Sequence, residues 1–169
     1  MNLHIGGTVA RSGWLILNVS PGPHVDHVGD LRDLSRFPAE AFENVYASHV
    51  LEHVPQAAVL PALRGIQRVL KCHGNLMLSV PDLKALCRLY LEPAATAEIR
   101  RHAMRMMFGG QVDAHDFHYV GFDEESLGAM LAAAGFRDVR RVATFGLFED
   151  TSTFRPYGVP ISLNLLAST

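Results

Sequence analysis

The chain is poor in several things at once. It has two cysteines, Cys72 and Cys87, too few for a disulfide framework, so a reducing cytoplasmic compartment is its natural setting. Lysine is nearly absent, occurring only at Lys71 and Lys84, and arginine carries most of the positive charge. With a formal net charge of −2 and no long basic run, the chain lacks the clustered cations that phosphate neutralisation requires. No stretch approaches the roughly 18 consecutive apolar residues of a membrane helix. Neither nucleic acid nor a membrane is therefore expected as a partner. The opening segment, MNLHIGGTVARSGW, lacks the basic start and sustained apolar core of a secretory signal. Internal repeats and low-complexity tracts are missing too. What remains is 169 residues, 49% hydrophobic and 19% charged, the makeup of one globular domain spanning 1–169.

The hydrophobic pattern alternates between strand and helix. NLHIG (2–6), WLILNV (14–19), FENVYASHV (42–50) and NLMLSV (75–80) are short apolar or β-branched runs bounded by turn residues, and HVDHVGDL (24–31) can hold one more strand. Residues 55–74 read as a helix over most of their length, with Val59, Leu63, Ile66 and Val69 at helical spacing and Gly74 as the stop. Pro61 implies either that regular helix begins there or that a turn precedes it. Two more helices are expected, over 96–110 and over 123–136. The second has Asp123 as N-cap and Gly135 as the C-terminal stop. Two last strands, 138–148 and 160–167, have no helix between them and are expected to form an antiparallel hairpin at a sheet edge. That edge could pair two chains into a homodimer. The order predicts an α/β domain with a mostly parallel sheet. Only about seven residues join the first two strands, whereas a parallel crossover normally takes about a dozen. Either the usual helix is missing there or the two strands are not parallel neighbours.

Ligands of open parallel sheets bind beyond the carboxyl ends of strands, where strand order reverses. Gly6-Gly7 and Ser48-His49 occupy such tips, with Asn18 and Asp30 at the ends of neighbouring strands. ASHVLEHVP (47–55) also contains His49-x-x-Glu52-His53, the H-x-x-E-H pattern of inverted zinc proteases. The zinc reading needs both histidines on one helical face and a third ligand, and no third donor is evident. The plainer readings are a strand-to-helix turn lining a ligand cleft, or a packing turn with Glu52 at a helix start. DAHDFHYVGF (113–122) gathers Asp113, His115, Asp116 and His118. It is either a substrate loop that can supply a base or a polar loop whose Phe117, Tyr119 and Phe122 tuck into the core.

The segments LHIGG, GWLILNVSPG, VGDLRDL, VYASHVLEHVP, ALRGIQRVLKCHGNLMLSVPDL and FGGQVDAHDFHYVGFDEESLGAMLAAAGFRDVRRV resemble, in order, those of class I S-adenosylmethionine-dependent methyltransferases of the compact type 11-like kind. The resemblance implies a single-domain Rossmann-like methyltransferase fold with a shortened N-terminal region. It implies S-adenosylmethionine as cofactor, cradled by Gly6, Gly7, Asn18, Asp30, Leu31, Ser48 and His49. Methyl transfer to a small molecule or saccharide would follow, with His53 and His118 as candidate bases for a hydroxyl acceptor. The chain departs from the family at Thr8, where the Gly-x-Gly turn has its second glycine, and at Asn18, where a ribose-binding carboxylate is usual. The turn after the first long helix, KCHG, also differs. Two other functions stay open: a non-catalytic methyltransferase-like binding module, and a zinc hydrolase using His49, Glu52 and His53.

Overall fold

Short apolar runs, buried almost continuously in the central strands, form one sheet of seven strands in the computed structural model, which describes residues 1–169. The strands are β1 (Asn2–Ile5), β2 (Trp14–Asn18), β3 (His27–Val28), β4 (Phe42–Ser48), β5 (Leu70–Pro81), β6 (Arg137–Arg141) and β7 (Ser162–Ser168). They lie in the order β3-β2-β1-β4-β5-β7-β6. The first five are mutually parallel, whereas β7 runs antiparallel to both β5 and β6. From β1 the chain builds outward to β3. It then returns to β4 on the other side of β1 and builds the other way, so the topological switch lies between β1 and β4.

The expected antiparallel end is present, with one difference. β7 is an interior strand, and β6 alone forms that edge. β6 also stops at Arg141, short of the expected 148. The aromatics of residues 142–148 leave the sheet and serve another purpose, which the first connection explains.

β1 and β2 are parallel neighbours, paired from Asn2↔Trp14 to Ile5↔Leu17, with no helix in residues 6–13. Extended chain of that length reaches about 26 Å, ample to return along a ladder of about 13 Å. Reach is therefore not the problem; covering the sheet is. The face is covered from the far end of the chain. The Phe148 ring packs on His4, Tyr46 and Trp14 at centroid distances of 4.2, 4.8 and 5.3 Å, and Phe145 packs edge-on against Tyr46 at 5.6 Å. Tyr46 also donates its hydroxyl proton to Asp150 at 2.7 Å, tying the same loop to β4.

The opposite face carries helix α1 (Gln56–Val69), which buries Val59, Ala62, Leu63, Ile66 and Val69, and helix α4 (Glu124–Ala133), which buries Leu127 and Leu131. These join Leu3, Ile5, Val45, Ala47 and Leu78 of the sheet in one apolar cluster. α1 starts at Gln56 and accommodates Pro61 inside it, on the exposed side of the helix, where water can take the carbonyl left without a donor. It ends at Val69 rather than Gly74. Residues 70–74 already belong to β5, across a bulge that shifts register between Phe42 and Asn44 and puts His73 in the left-handed region.

Asp123 caps α4 as expected, in a reciprocal capping box with Ser126. Helix α3 (Ala97–Phe108) ends at Gly109 with φ +82°. One helix has no counterpart in the sequence reading. α2 (Leu83–Leu91) is capped by the Asp82 carboxylate, which accepts from Ala85 N at 3.1 Å and pairs with Arg141 at 2.8 Å. No helix of the protein is long and apolar enough to cross a membrane.

Candidate functional site

The cleft at the switch begins with Gly6. Its N–H donates to Leu17 O at 2.7 Å, and its φ of +79° is one that side-chain-bearing residues rarely adopt. A Cβ there would lie 2.5 Å from Val50 Cγ2. Gly6, Asn18, Asp30, Leu31, His49 and His53 share the lining of one cavity of about 330 Å³, together with Arg32, His115 and Tyr119. Asn18 ends β2 with its amide already engaged. It donates to Gly7 O at 3.0 Å, and its Oδ1 accepts from Ser20 N at 2.9 Å, so it fastens the two turns that shape the cleft. Asp30 accepts from Arg32 through both oxygens at 2.6 to 3.0 Å, and this bonding holds its carboxyl below the usual carboxylate range.

Two of the expected cofactor residues, Gly7 and Ser48, are not among the residues lining this cavity. Gly7 is buried beside His4, whose Nδ1 a Cβ would approach to 2.5 Å, so its glycine identity answers to that ring. Ser48 ends β4 half-buried and lines neither this cavity nor the next.

His49 is the hinge of the site. It follows β4 directly and takes a left-handed φ of +53°, with its N–H donating to Ser79 O of β5 at 2.9 Å. Its Nε2 meets Ser162 Oγ of β7 at 2.8 Å, and the Ser162 hydroxyl donates its own proton to Thr151 O at 2.8 Å. Nε2 must therefore be the donor. His49 also lines a second cavity of about 290 Å³, whose wall includes His102, Arg105, Met106, Asp116, His118 and Phe154. One imidazole thus stands between a cleft at the strand ends and a polar chamber roofed by α3. No pattern in the sequence announced Ser162, Thr151 or His102 as neighbours of His49, because they lie far along the chain.

Residues 51–53 form one turn of 3-10 helix, and the protease-like arrangement of His49 and His53 on one helical face is not formed. Three donors converge instead. One ligand atom each from Glu52, His53 and His118 lies within 4.8 Å of the others. Glu52 is 1% exposed, and neither carboxylate oxygen has a hydrogen-bond partner. His49 Nδ1 faces its Oε1 at 3.3 Å. His53 donates through Nδ1 to Phe117 O at 3.1 Å, and its ring meets His118 edge-on at 4.7 Å. Burial lowers the pKa of His118, with Glu52 pulling the other way. The 113–122 loop is tied down by Tyr119 N donating to Glu52 O at 2.8 Å. Of its aromatics only Phe122 enters the core; Phe117 and Tyr119 stay exposed. Both cysteines are free and exposed.

The strand order with an inserted antiparallel β7, and a cleft between β1 and β4, define a Rossmann-like fold of the class I methyltransferase kind. The chain matches the family model described as a methyltransferase domain over residues 8–141, and it belongs to that family. Solved structures agree on the fold. A S-adenosylmethionine-dependent methyltransferase from Archaeoglobus fulgidus superposes with a TM-score of 0.63 at 14% identity, covering 99% of this chain and 85% of that one. One from Mesorhizobium loti gives 0.60 at 18% identity, covering 99% and 90%. The 1,6-didemethyltoxoflavin-N1-methyltransferase of Burkholderia thailandensis, solved with 1,6-didemethyltoxoflavin and S-adenosylhomocysteine, gives 0.60 at 15% identity, covering 99% and 70%. No curated protein matches the sequence.

Proposed function

We propose that the protein, acting as one domain over residues 1–169, transfers a methyl group from S-adenosylmethionine to a small molecule or saccharide in the cytoplasm. The observation that carries this reading is the sharing of His49 between two cavities, a cleft at the strand-order switch and a chamber under α3. The cofactor occupies the cleft, with its backbone approach at Gly6, its ribose towards Asn18 and its adenine by Asp30 and Leu31. The acceptor occupies the chamber. The sulfonium is already a strong electrophile, so holding methyl and acceptor in line supplies much of the rate. For a hydroxyl acceptor, His118 or His53 takes the proton. Burial favours the neutral form of His118, which a base requires. Gly7 and Ser48 act in this reading by shaping the tips of β1 and β4. The exposed β6 edge is where a second chain would pair.

A second reading, a binding module without turnover, is favoured by one observation. The Asn18 amide is spent on Gly7 and Ser20, leaving less of it for ribose hydroxyls. Crystals soaked with S-adenosylhomocysteine test both. Density running from Gly6 to His49 supports a cofactor site, and methyl transfer to any acceptor then separates enzyme from module. Density confined to the α3 chamber, or none, overturns the proposal.

A further inference from the structure

Four polar side chains between the cleft and the chamber present a problem of proton bookkeeping. The Nε2 proton of His49 goes to Ser162, and the Nδ1 proton of His53 goes to the Phe117 carbonyl. His118 Nδ1 is buried without a partner. In their neutral forms the His49 and His53 rings therefore spend their protons outward. His49 Nδ1 and one ring nitrogen each of His53 and His118 are gathered around Glu52, whose carboxylate is 1% exposed and accepts no hydrogen bond at either oxygen. His49 Nδ1 and Glu52 Oε1, two acceptors, face one another at 3.3 Å. Such an arrangement is strongly unfavourable unless something positive lies among these atoms.

Outward hydrogen bonds to backbone carbonyls and inward lone pairs are how metal-binding histidines are held, with the tautomer fixed by the second nitrogen. We infer that Glu52, His53 and His118, with His49 Nδ1 alongside, form a binding site for a divalent transition-metal cation. One oxygen and two or three imidazole nitrogens suit Zn²⁺, Co²⁺, Fe²⁺ or Mn²⁺. The ligand atoms already lie within 4.8 Å of one another, so bonds of about 2.0–2.2 Å need only a small inward movement. The spacing of H-x-x-E-H pointed towards such chemistry but with the wrong partners. The missing donor is His118, supplied by the loop that Tyr119 ties to Glu52.

His118 lines the chamber and His53 the cleft, so a cation here borders both cavities. It can polarise an acceptor oxygen entering from the chamber. While they hold it, neither histidine acts as a base. The cation site itself stands independently of the cofactor reading.

The test is a Co²⁺ titration of untagged, EDTA-stripped protein, followed by visible absorption and by calorimetry. The expected result is one equivalent bound per chain with the d–d bands of a low-coordinate nitrogen and oxygen site, displaced by Zn²⁺. Glu52→Gln and His118→Gln, each checked for folding by circular dichroism, should weaken Co²⁺ binding at least tenfold. His73→Gln, at an exposed histidine far from the cluster, should not. Should the wild type bind no stoichiometric Co²⁺, the charge is balanced by protons and the proposal falls. It also falls if all three variants bind as the wild type does. S-adenosylhomocysteine binding measured in EDTA on the same samples reports on the cofactor reading separately.

Discussion

Replacing His4 with phenylalanine should flatten the acid side of the stability profile. His4 is 7% exposed, its Nδ1 has no partner, and Phe148 and Tyr46 enclose its ring. Burial pushes its pKa down from 6.5 to about 4, with Asp150 opposing weakly. The folded state thus refuses a proton that the unfolded chain accepts. The contribution is fully present above the unfolded pKa and is lost as pH falls from about 6.5 towards 4. Between pH 7.5 and pH 5 the loss amounts to about 2 kcal/mol. Urea unfolding followed by tryptophan fluorescence measures it. The wild-type midpoint should fall by roughly 0.7–2 M more than that of His4→Phe over this interval, for m-values of about 1–3 kcal/mol/M. Equal pH dependence in the two proteins would refute the buried neutral imidazole and, with it, the account of how the first connection does without a helix.

Three further outcomes follow from the geometry. Gly6→Ala should cost about 1–3 kcal/mol, from its positive φ and the contact with Val50. Adding Val50→Ala should recover the steric part, as thermal melts of the single and double variants can establish. Asp123→Ala removes the capping box of α4 and should destabilise by about 1 kcal/mol, measured by chemical denaturation. Leu63→Ala, at a fully buried position between α1 and the sheet, should cost about 2–5 kcal/mol in the same assay.

What the sequence made legible were the elements whose pattern and packing agree. β1, β2, β4 and the second half of β5 are apolar runs with clear ends, and α4 carries its own cap and stop. α2 escaped notice because its buried stripe is only Leu86 and Leu89, while Leu91 is exposed. The stretch VATFGLF looks like a strand by composition, but its phenylalanines are recruited to cover a sheet face that the short first connection leaves bare, a tertiary demand that local preference cannot express. The cleft was readable because Gly6, Asn18, Asp30 and His49 fall at strand tips, and strand tips follow from the pattern. The chamber was not. Its walls come from α3, the 113–122 loop and residues 151–161, which only the fold brings to His49. Gly7 has a packing reason that the sequence did not show. Its position fits a cofactor turn, yet its neighbour is the His4 ring.

Calorimetric titration of S-adenosylhomocysteine into the wild-type protein asks whether the cleft between β1 and β4 takes the cofactor. Saturable binding at one site per chain is expected, weakened in Gly6→Ala, where the added methyl and the altered turn disturb the floor of the cleft. The absence of binding at millimolar ligand in a folded wild-type sample would contradict that expectation.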